Sequence, residues 1–414
     1  MDKEIMFEYI KRLKLAVITL FKWLFCSVVC GCFIGSVGAV FHLMLGYVGS
    51  LRVEYPFLLF GLPVAGIIIV FMYNIVHEAG NRGTNLVITA IQSNDEVPGR
   101  VAPLIIVSTL LTHLCGGSAG REGAALQVGG AIGNTFAKLF KFDEKDTRIM
   151  IMCGMSACFS ALFGTPIASA VFSMEVISVG VMYYAALVPC VLAAFIAQGI
   201  ASALESTHFV VDEIASFSFI NGSKFIIMSV LFALASILLC VVLHGTSKLY
   251  TDYINNPYIR IIIASALVIA MRYIFGTTDY LGAVSDIIAR SFVTSCAWYV
   301  FLLKMLFTAV TLGGGFKGGE IVPTLFVGAT LGSFLAPIFG LPVGLCAACG
   351  MVSVFCGVTN CPLTSFILSI EMFGASTMKF TILCIALSYL LSGYYSLYNS
   401  QKIVYSKYKT EYIN

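Results

Sequence analysis

The feature that most constrains this chain is a set of residues repeated at fixed spacing in its two halves. Gly154-Met155, Phe159, Pro166 and Glu175 return as Gly350-Met351, Phe355, Pro362 and Glu371, each 196 residues later. Upstream, Gly120-Arg121-Glu122 and Val128-Gly129-x-x-x-Gly133 run alongside Gly319-Glu320-Ile321 and Val327-Gly328-x-x-x-Gly332 at an offset of 199 residues. Generic glycine-rich helix packing would not hold so many positions in register. Duplicated halves with glycine-interrupted apolar segments at matching places describe a secondary transporter, its site lying where broken helices meet. Repetition alone does not distinguish parallel from inverted halves.

The repeats are embedded in apolar sequence. Long apolar stretches fall near residues 15–48, 55–76, 101–115, 149–203, 222–246, 258–275, 292–315, 323–349 and 361–398. A helical span needs about 20 residues, so some stretches exceed one crossing and others are too short or broken by glycine. Charged residues make up 11% of the chain and hydrophobic ones 59%, whereas a soluble domain carries about 25% charged residues. That composition cannot cover a water-facing surface, which excludes a soluble enzyme, a nucleic-acid binder and a disordered scaffold. The net charge of +3 gives nucleic acid no handle. The expected fold class is an all-α polytopic membrane protein.

Basic residues flank both ends: Lys11, Arg12 and Lys14, then Lys402, Lys407 and Lys409. The positive-inside rule then predicts both termini in the cytoplasm and an even number of crossings. The first apolar run has no small-residue cleavage site before Val40 and is expected to be a retained helix rather than a signal peptide. The expected organisation is a cytoplasmic N-terminal segment at 1–14, membrane halves at 15–203 and 204–398, and a cytoplasmic tail at 399–414. Polar connectors are expected at 77–100, 134–148, 204–221, 247–257 and 276–290. The 14 cysteines are scattered through apolar segments as small hydrophobes. Cys346-Ala-Ala-Cys349 has no acidic or histidine neighbours, and neither a metal, a cofactor nor a disulfide framework is expected.

Four segments could carry chemistry. Cys115-Gly-Gly-Ser-Ala-Gly-Arg-Glu-Gly123 sets glycines before a helix-forming run, leaving free N–H groups and a positive dipole end that attract an anion. Glu122 stands at that start. Its carboxylate can occupy an anion site and leave when protonated, or simply stabilise its own helix. Gly116-Gly-Ser118-Ala-Gly120 also satisfies G-x-S-x-G, but a nucleophile elbow needs a preceding strand, and APLIIVSTLLTHL does not read as one. Thr311 to Pro323 repeats the first segment and offers a second set of donors, with Glu320 beside, not on, the position of Glu122. Glu320 could serve a proton path, or form an ion pair with Lys317 or Lys304. His77 to Leu86 suggests another helix start, with an N-cap equally suitable. Ser396 to Gln401 places the Tyr398 phenol near the end of the membrane region. Glu175 and Glu371, each ending an apolar helix, read as capping or pairing residues.

These residues together resemble the CLC family of anion channels and anion/proton antiporters. The resemblance rests on GREG at 120–123, GGEIVP at 318–323 where the family has G-x-F-x-P, LY at 397–398, and GMSACFSALFGTPIASAVFSMEV at 154–176. It spans nearly the whole chain. It implies a homodimer of inverted-repeat subunits in the lipid bilayer, each with its own pore and with broken helices meeting at mid-membrane. Long helices rich in small residues, such as 166–173 and 362–369, would suit the interface. The resemblance makes Glu122 the gating glutamate and Tyr398 the inner tyrosine that donates to a central anion.

The departures from the family pattern carry information as well. The family's G-S-G-I-P segment is replaced by Gly80-Asn-Arg-Gly-Thr-Asn85, so that Arg82, Thr84 or Asn85 takes the serine position, with Thr84 favoured. Val176 stands where chloride antiporters have an inner proton-relaying glutamate. Ile321 replaces the family phenylalanine, Glu320 adds an acid beside it, and Ala124 rather than proline follows GREG. No C-terminal nucleotide-binding pair of domains is expected. This combination resembles the fluoride/proton antiporters of the CLC-F branch. It implies a fluoride exporter of the plasma membrane driven by proton entry, not an enzyme. Glu122 and Glu320 would be the proton-path acids. Anion contacts would come from Thr84, Asn85, Ser118, Gly120, Arg121, Gly123, Gly319, Ile321, Val322 and Tyr398. The alternative is a chloride or nitrate/proton antiporter, or an uncoupled anion channel, of the same fold.

Overall fold

The computed structural model describes residues 3–413 except 79, 81–82, 94, 203–208, 210, 212 and 284. Arg82, one candidate for the serine position, lies outside the described residues. Among those described, the first half runs α1 (Lys3–Glu54), α2 (Leu62–Ile75), α3 (Thr84–Ser93), α4 (Val101–Leu114), α5 (Glu122–Leu139), α6 (Glu144–Phe163), α7 (Pro166–Glu175) and α8 (Leu187–Ala201). The second half runs α9 (Phe219–Tyr253), α10 (Pro257–Ile274), α11 (Ser285–Ser291), α12 (Val300–Gly313), α13 (Ile321–Phe339), α14 (Val343–Thr359), α15 (Pro362–Phe373) and α16 (Met378–Leu391). Two-residue strands β1 (Ser178–Val179) and β2 (Lys402–Ile403) pair in parallel and tie the tail back to the first half.

The halves repeat in packing as well as in order. Helix α1 packs on α4, α6 and α8, as α9 packs on α12, α14 and α16, and α5 lies on α6 as α13 lies on α14. The last two contacts explain the repeated glycines. A Cβ on Gly129 would overlap the Gly154 carbonyl, and one on Gly154 would overlap that of Gly129. Gly328 and Gly350 stand in the same mutual relation. With no water to drive helix association inside a bilayer, close backbone approach of this kind supplies the packing energy.

The halves meet through two exchanges. The Glu175 carboxylate, ending α7, accepts from Leu363 N (3.0 Å), Thr364 N (2.8 Å) and Thr364 Oγ1 (2.5 Å) at the start of α15. The Glu371 carboxylate near the end of α15 accepts from Ile167 N (3.0 Å) and Ala168 N (2.8 Å) at the start of α7. Each helix therefore caps the other, which requires the pair to run antiparallel. Gly120 and Gly319 likewise exchange backbone bonds, Gly120 N to Gly319 O at 2.7 Å and Gly319 N to Gly120 O at 2.8 Å. Both exchanges are what a two-fold relation between inverted halves produces.

Among the described residues, seven helical stretches are long and apolar enough to cross a membrane, and five apolar helices are shorter. The short ones include α4 and α12, the helices that end at the glycine loops before α5 and α13. The 52-residue α1 is about 78 Å long at 1.5 Å per residue, more than the ~30 Å hydrocarbon core requires. The connectors are shorter than the polar sequence suggests. Residues 134–139 belong to α5, 144–148 to α6 and 247–253 to α9. Their polar side chains extend helix ends and pair across them: Lys138 with Glu96 at 2.7 Å, and Asp146 with Lys22. Cys346 and Cys349 are buried, unpaired residues of α14, and the described residues hold no cluster suited to a metal.

Candidate functional site

Two glycine loops place two helix starts face to face. Gly116 (φ +79°) turns the chain out of α4, and Gly315 (φ +108°) does the same after α12, a backbone region that side-chain-bearing residues rarely adopt. The Gly120–Gly319 exchange then locks the loops together. Behind them begin α5 at Glu122 and α13 at Ile321, and neither start has a side-chain cap. First-turn N–H groups have no intrahelical acceptor, so two sets of donors and two positive dipole ends converge on one buried region.

Glu122 is fully buried there. Its Oε2 accepts from the Arg121 N–H at 3.1 Å, and its Oε1 faces Arg121 Nε at 3.3 Å. Arg121 is held in turn by Nη1 donating to His42 Nδ1 on α1 at 3.2 Å. Glu320 occupies the N-cap position of α13, and its Oε2 is buried without a hydrogen-bond partner. That oxygen lies 3.1 Å, and the Thr84 hydroxyl 3.3 Å, from where a Cβ on Gly123 would stand. Thr84, at the start of α3, also donates to Gly123 O at 3.4 Å. Glu122, Gly123, Glu320 and Thr84 therefore come together, with the amides of Ile321 and Val322 opening the facing helix.

Tyr398 is buried and its hydroxyl has no partner. It lies within electrostatic reach of Glu320 and Glu122. Its turn is pinned from several sides. Leu397 N donates to Val358 O at 2.8 Å, and Gln401 Nε2 donates to Val176 O (3.0 Å) and Thr359 O (2.8 Å). Asn360 Nδ2 donates back to Gln401 Oε1 at 3.0 Å.

Several expected residues sit differently. The N–H groups of Gly120 and Gly319 are engaged with each other and unavailable to an ion. Ser118 is similarly engaged: its N–H donates to Thr311 Oγ1 (3.1 Å), and its hydroxyl meets Thr308 Oγ1 (3.1 Å) and Lys304 Nζ (3.0 Å). It follows helix α4 rather than a strand, so no nucleophile elbow is formed. The Asn85 side-chain oxygen accepts from Ser400 N at 2.9 Å, making it a brace for the Tyr398 turn. The expected ion pair of Glu320 with Lys304 or Lys317 does not form. Lys304 instead satisfies its ammonium with Ser118, Tyr280 O (3.3 Å) and Gly282 O (2.7 Å), and Lys317 lies 4.5 Å over the Tyr73 ring.

Sequence reasoning missed His42 and Gln127. The latter is buried with Nε2 donating to Gly123 O at 3.2 Å and Oε1 unpartnered. The available signal for both was a polar side chain inside an apolar helix, which a bilayer makes costly.

The family described as "Voltage gated chloride channel" matches residues 64–393. A "Chloride/fluoride channel protein" of Pseudomonas syringae pv. tomato is 34% identical over 396 residues, covering 94% of this chain and 88% of the relative. A solved structure described as "Crystal structure of a CLC-type fluoride/proton antiporter" superposes with a TM-score of 0.89 at 32% identity, covering 93% of this chain and 98% of the other. A slow cyanobacterial Cl-/H+ antiporter of known structure shares the fold with a TM-score of 0.75 at 18% identity, over 89% and 94% of the two chains. The inverted halves, the exchanged glycine loops and the paired uncapped helix starts are thus parts of a CLC anion-transport fold, and the chain is an integral membrane protein belonging to the voltage-gated chloride channel (CLC) family.

Proposed function

We propose that the chain is a fluoride/proton antiporter that exports cytosolic fluoride as protons enter. It would work as a homodimer in the plasma membrane with both termini in the cytoplasm. The observation that carries this reading is the buried pair of acids, Glu122 and the partnerless oxygen of Glu320, at two opposed and uncapped helix starts. An anion-only pore has no use for two carboxylates where its ion must sit; a proton-coupled carrier does. Glu122 alternates between occupying the anion position as a carboxylate, held by Arg121, and leaving it as a neutral acid carrying a proton. Glu320 is the second acid of the proton path. Fluoride is small and strongly hydrated, so its water must be replaced by several close donors. The Thr84 and Tyr398 hydroxyls and the amides of Gly123, Ile321 and Val322 supply them. Support for fluoride comes from the relatives described as a chloride/fluoride channel and a CLC-type fluoride/proton antiporter.

The test is purified protein in liposomes, with fluoride and chloride efflux followed by ion electrodes at matched and stepped pH. Fluoride efflux well above chloride, with a proton gradient able to drive fluoride uphill, is expected. The Glu122→Gln variant should lose that uphill movement, and a variant that still pumps refutes the mechanism. The chloride half of the relative's description keeps chloride exchange as the second reading, and equal or faster chloride movement selects it.

A further inference from the structure

Beside the C-terminal end of α2 lie two cations, Arg260 and Lys317, that border one cavity without an ion-pair partner among the described residues. Tyr73 and Asn74 of α2, Arg260 of α10, and Gly314, Gly315 and Lys317 of the loop before α13 line a cavity of about 80 Å³. Arg260 Nε is buried and has no hydrogen-bond partner. The Lys317 ammonium lies over the face of the Tyr73 ring, which offers a weak quadrupole attraction but no ionic neutralisation. The two cations are close enough to repel each other, and the carboxylate whose charge reaches Lys317 is Glu320, three residues along the loop. Among the described residues, neither Arg260 nor Lys317 has an acidic oxygen within ion-pair distance. Like charges gathered around a hollow, with a donor left unpaired, are stabilised by an anion in that hollow.

The size of the cavity restricts the occupant. A single water needs about 10–15 Å³ of such space, so about 80 Å³ is room for a halide-sized anion with a few waters. Its position indicates the side served. Met6–Glu54 and Pro56–Ile75 are each long and apolar enough to cross a membrane; taken as successive crossings, they put Tyr73 and Asn74 toward the face from which α1 starts. In the proposed orientation that face is the cytoplasm, where an exporter collects its ion.

We propose that this cavity is a holding site for one halide-sized inorganic anion, concentrating it beside the Glu320 loop before it enters the path between α5 and α13. Its role in export rests on the antiporter reading; its occupancy does not. Crystals soaked in sodium bromide, measured at the bromine edge, should show an anomalous peak contacting Lys317 Nζ and Arg260 Nε. The peak should vanish in the Lys317→Met/Arg260→Met double variant and persist in Lys317→Arg. A wild-type crystal without the peak, or a double variant that keeps it, overturns the site. In liposomes, the double variant should raise the KM for the transported anion at the α1-start face about tenfold, the effect of removing close-range charge, without a matching fall in kcat. An unchanged KM overturns the holding role. If the wild type moves no fluoride while the bromide peak is present, the antiporter reading fails and the site stands.

Discussion

Replacing Glu175 with glutamine separates a structural carboxylate from a transporting one. In the native protein it accepts three hydrogen bonds, two from amides at the positive end of α15 and one from the Thr364 hydroxyl. Bonds to a charged group contribute about 1.5–3 kcal/mol each, and a buried donor left without a partner costs about 1–3 kcal/mol. Glutamine keeps one acceptor oxygen and turns an NH₂ group toward the remaining donors, so at least one is stranded. The expected loss for Glu175→Gln is about 3 kcal/mol. Glu371 makes two bonds, to Ile167 N and Ala168 N, and is more accessible to water. The same change there should cost about 1 kcal/mol. The assay is thermal unfolding in detergent, followed by reaction of a thiol-reactive dye with buried cysteines such as Cys356 and Cys361. Tm should fall more for Glu175→Gln than for Glu371→Gln, while turnover per folded protein is retained in both. If Glu175→Gln leaves Tm unchanged and abolishes proton-coupled transport, the carboxylate belongs to the proton path and the capping argument is wrong.

Glu320→Gln should cut exchange without lowering Tm, because the buried oxygen it alters has no partner to lose; unaltered turnover would leave Glu320 with no transport role. Tyr398→Phe removes a hydroxyl that has no partner either, so stability should stay within about 0.5 kcal/mol while anion affinity falls. A large Tm drop would mean that the hydroxyl is structural. Lys407 bridges Asn360 Oδ1, Tyr389 O and Gly393 O, and burial pushes its ammonium down to about 8 from the ordinary 10.5, against the opposing pull of Cys356, Cys361 and Cys240. The unfolded chain therefore binds that proton more tightly, and the contribution of Lys407 to stability should rise as pH climbs from about 8 to 10.5. Subtracting the Lys407→Met Tm profile from that of the wild type should leave this rise. A falling difference would contradict the sign.

How far the sequence could be read depended on the distance over which each bond acts. The repeat identified both halves, because the glycines at 129, 154, 328 and 350 are demanded by local helix contact, and local demands leave periodic traces. Glu122, Glu320 and Tyr398 stood out as candidates for a related reason: a charge or phenol among small and polar residues in an apolar chain is conspicuous. The repeat aligned Gly120 with Gly319 but gave no sign that the two bond to each other. Glycine before a helix marks an N–H free to serve an ion equally well as one donated to another loop. Asn85 and Ser118 went the same way, their partners Ser400 and Lys304 lying 315 and 186 residues off. The polar residues of 134–148 read as a connector because composition cannot tell a helix end at a membrane surface from a loop.

The exchanged caps also bear on how the chain is made. Glu175 leaves the ribosome 189 residues before Thr364, whose amide and hydroxyl it requires. At 5–20 residues per second that delay is about 10–40 s, during which the end of α7 carries a carboxylate without its donors. Hydrocarbon is a poor place for such a group to wait. Helix α7 should therefore remain beside water or within the insertion machinery until α15 arrives, and the two should enter the bilayer as a pair. The first half cannot be finished before the second is nearly complete, although it contains all its own helices.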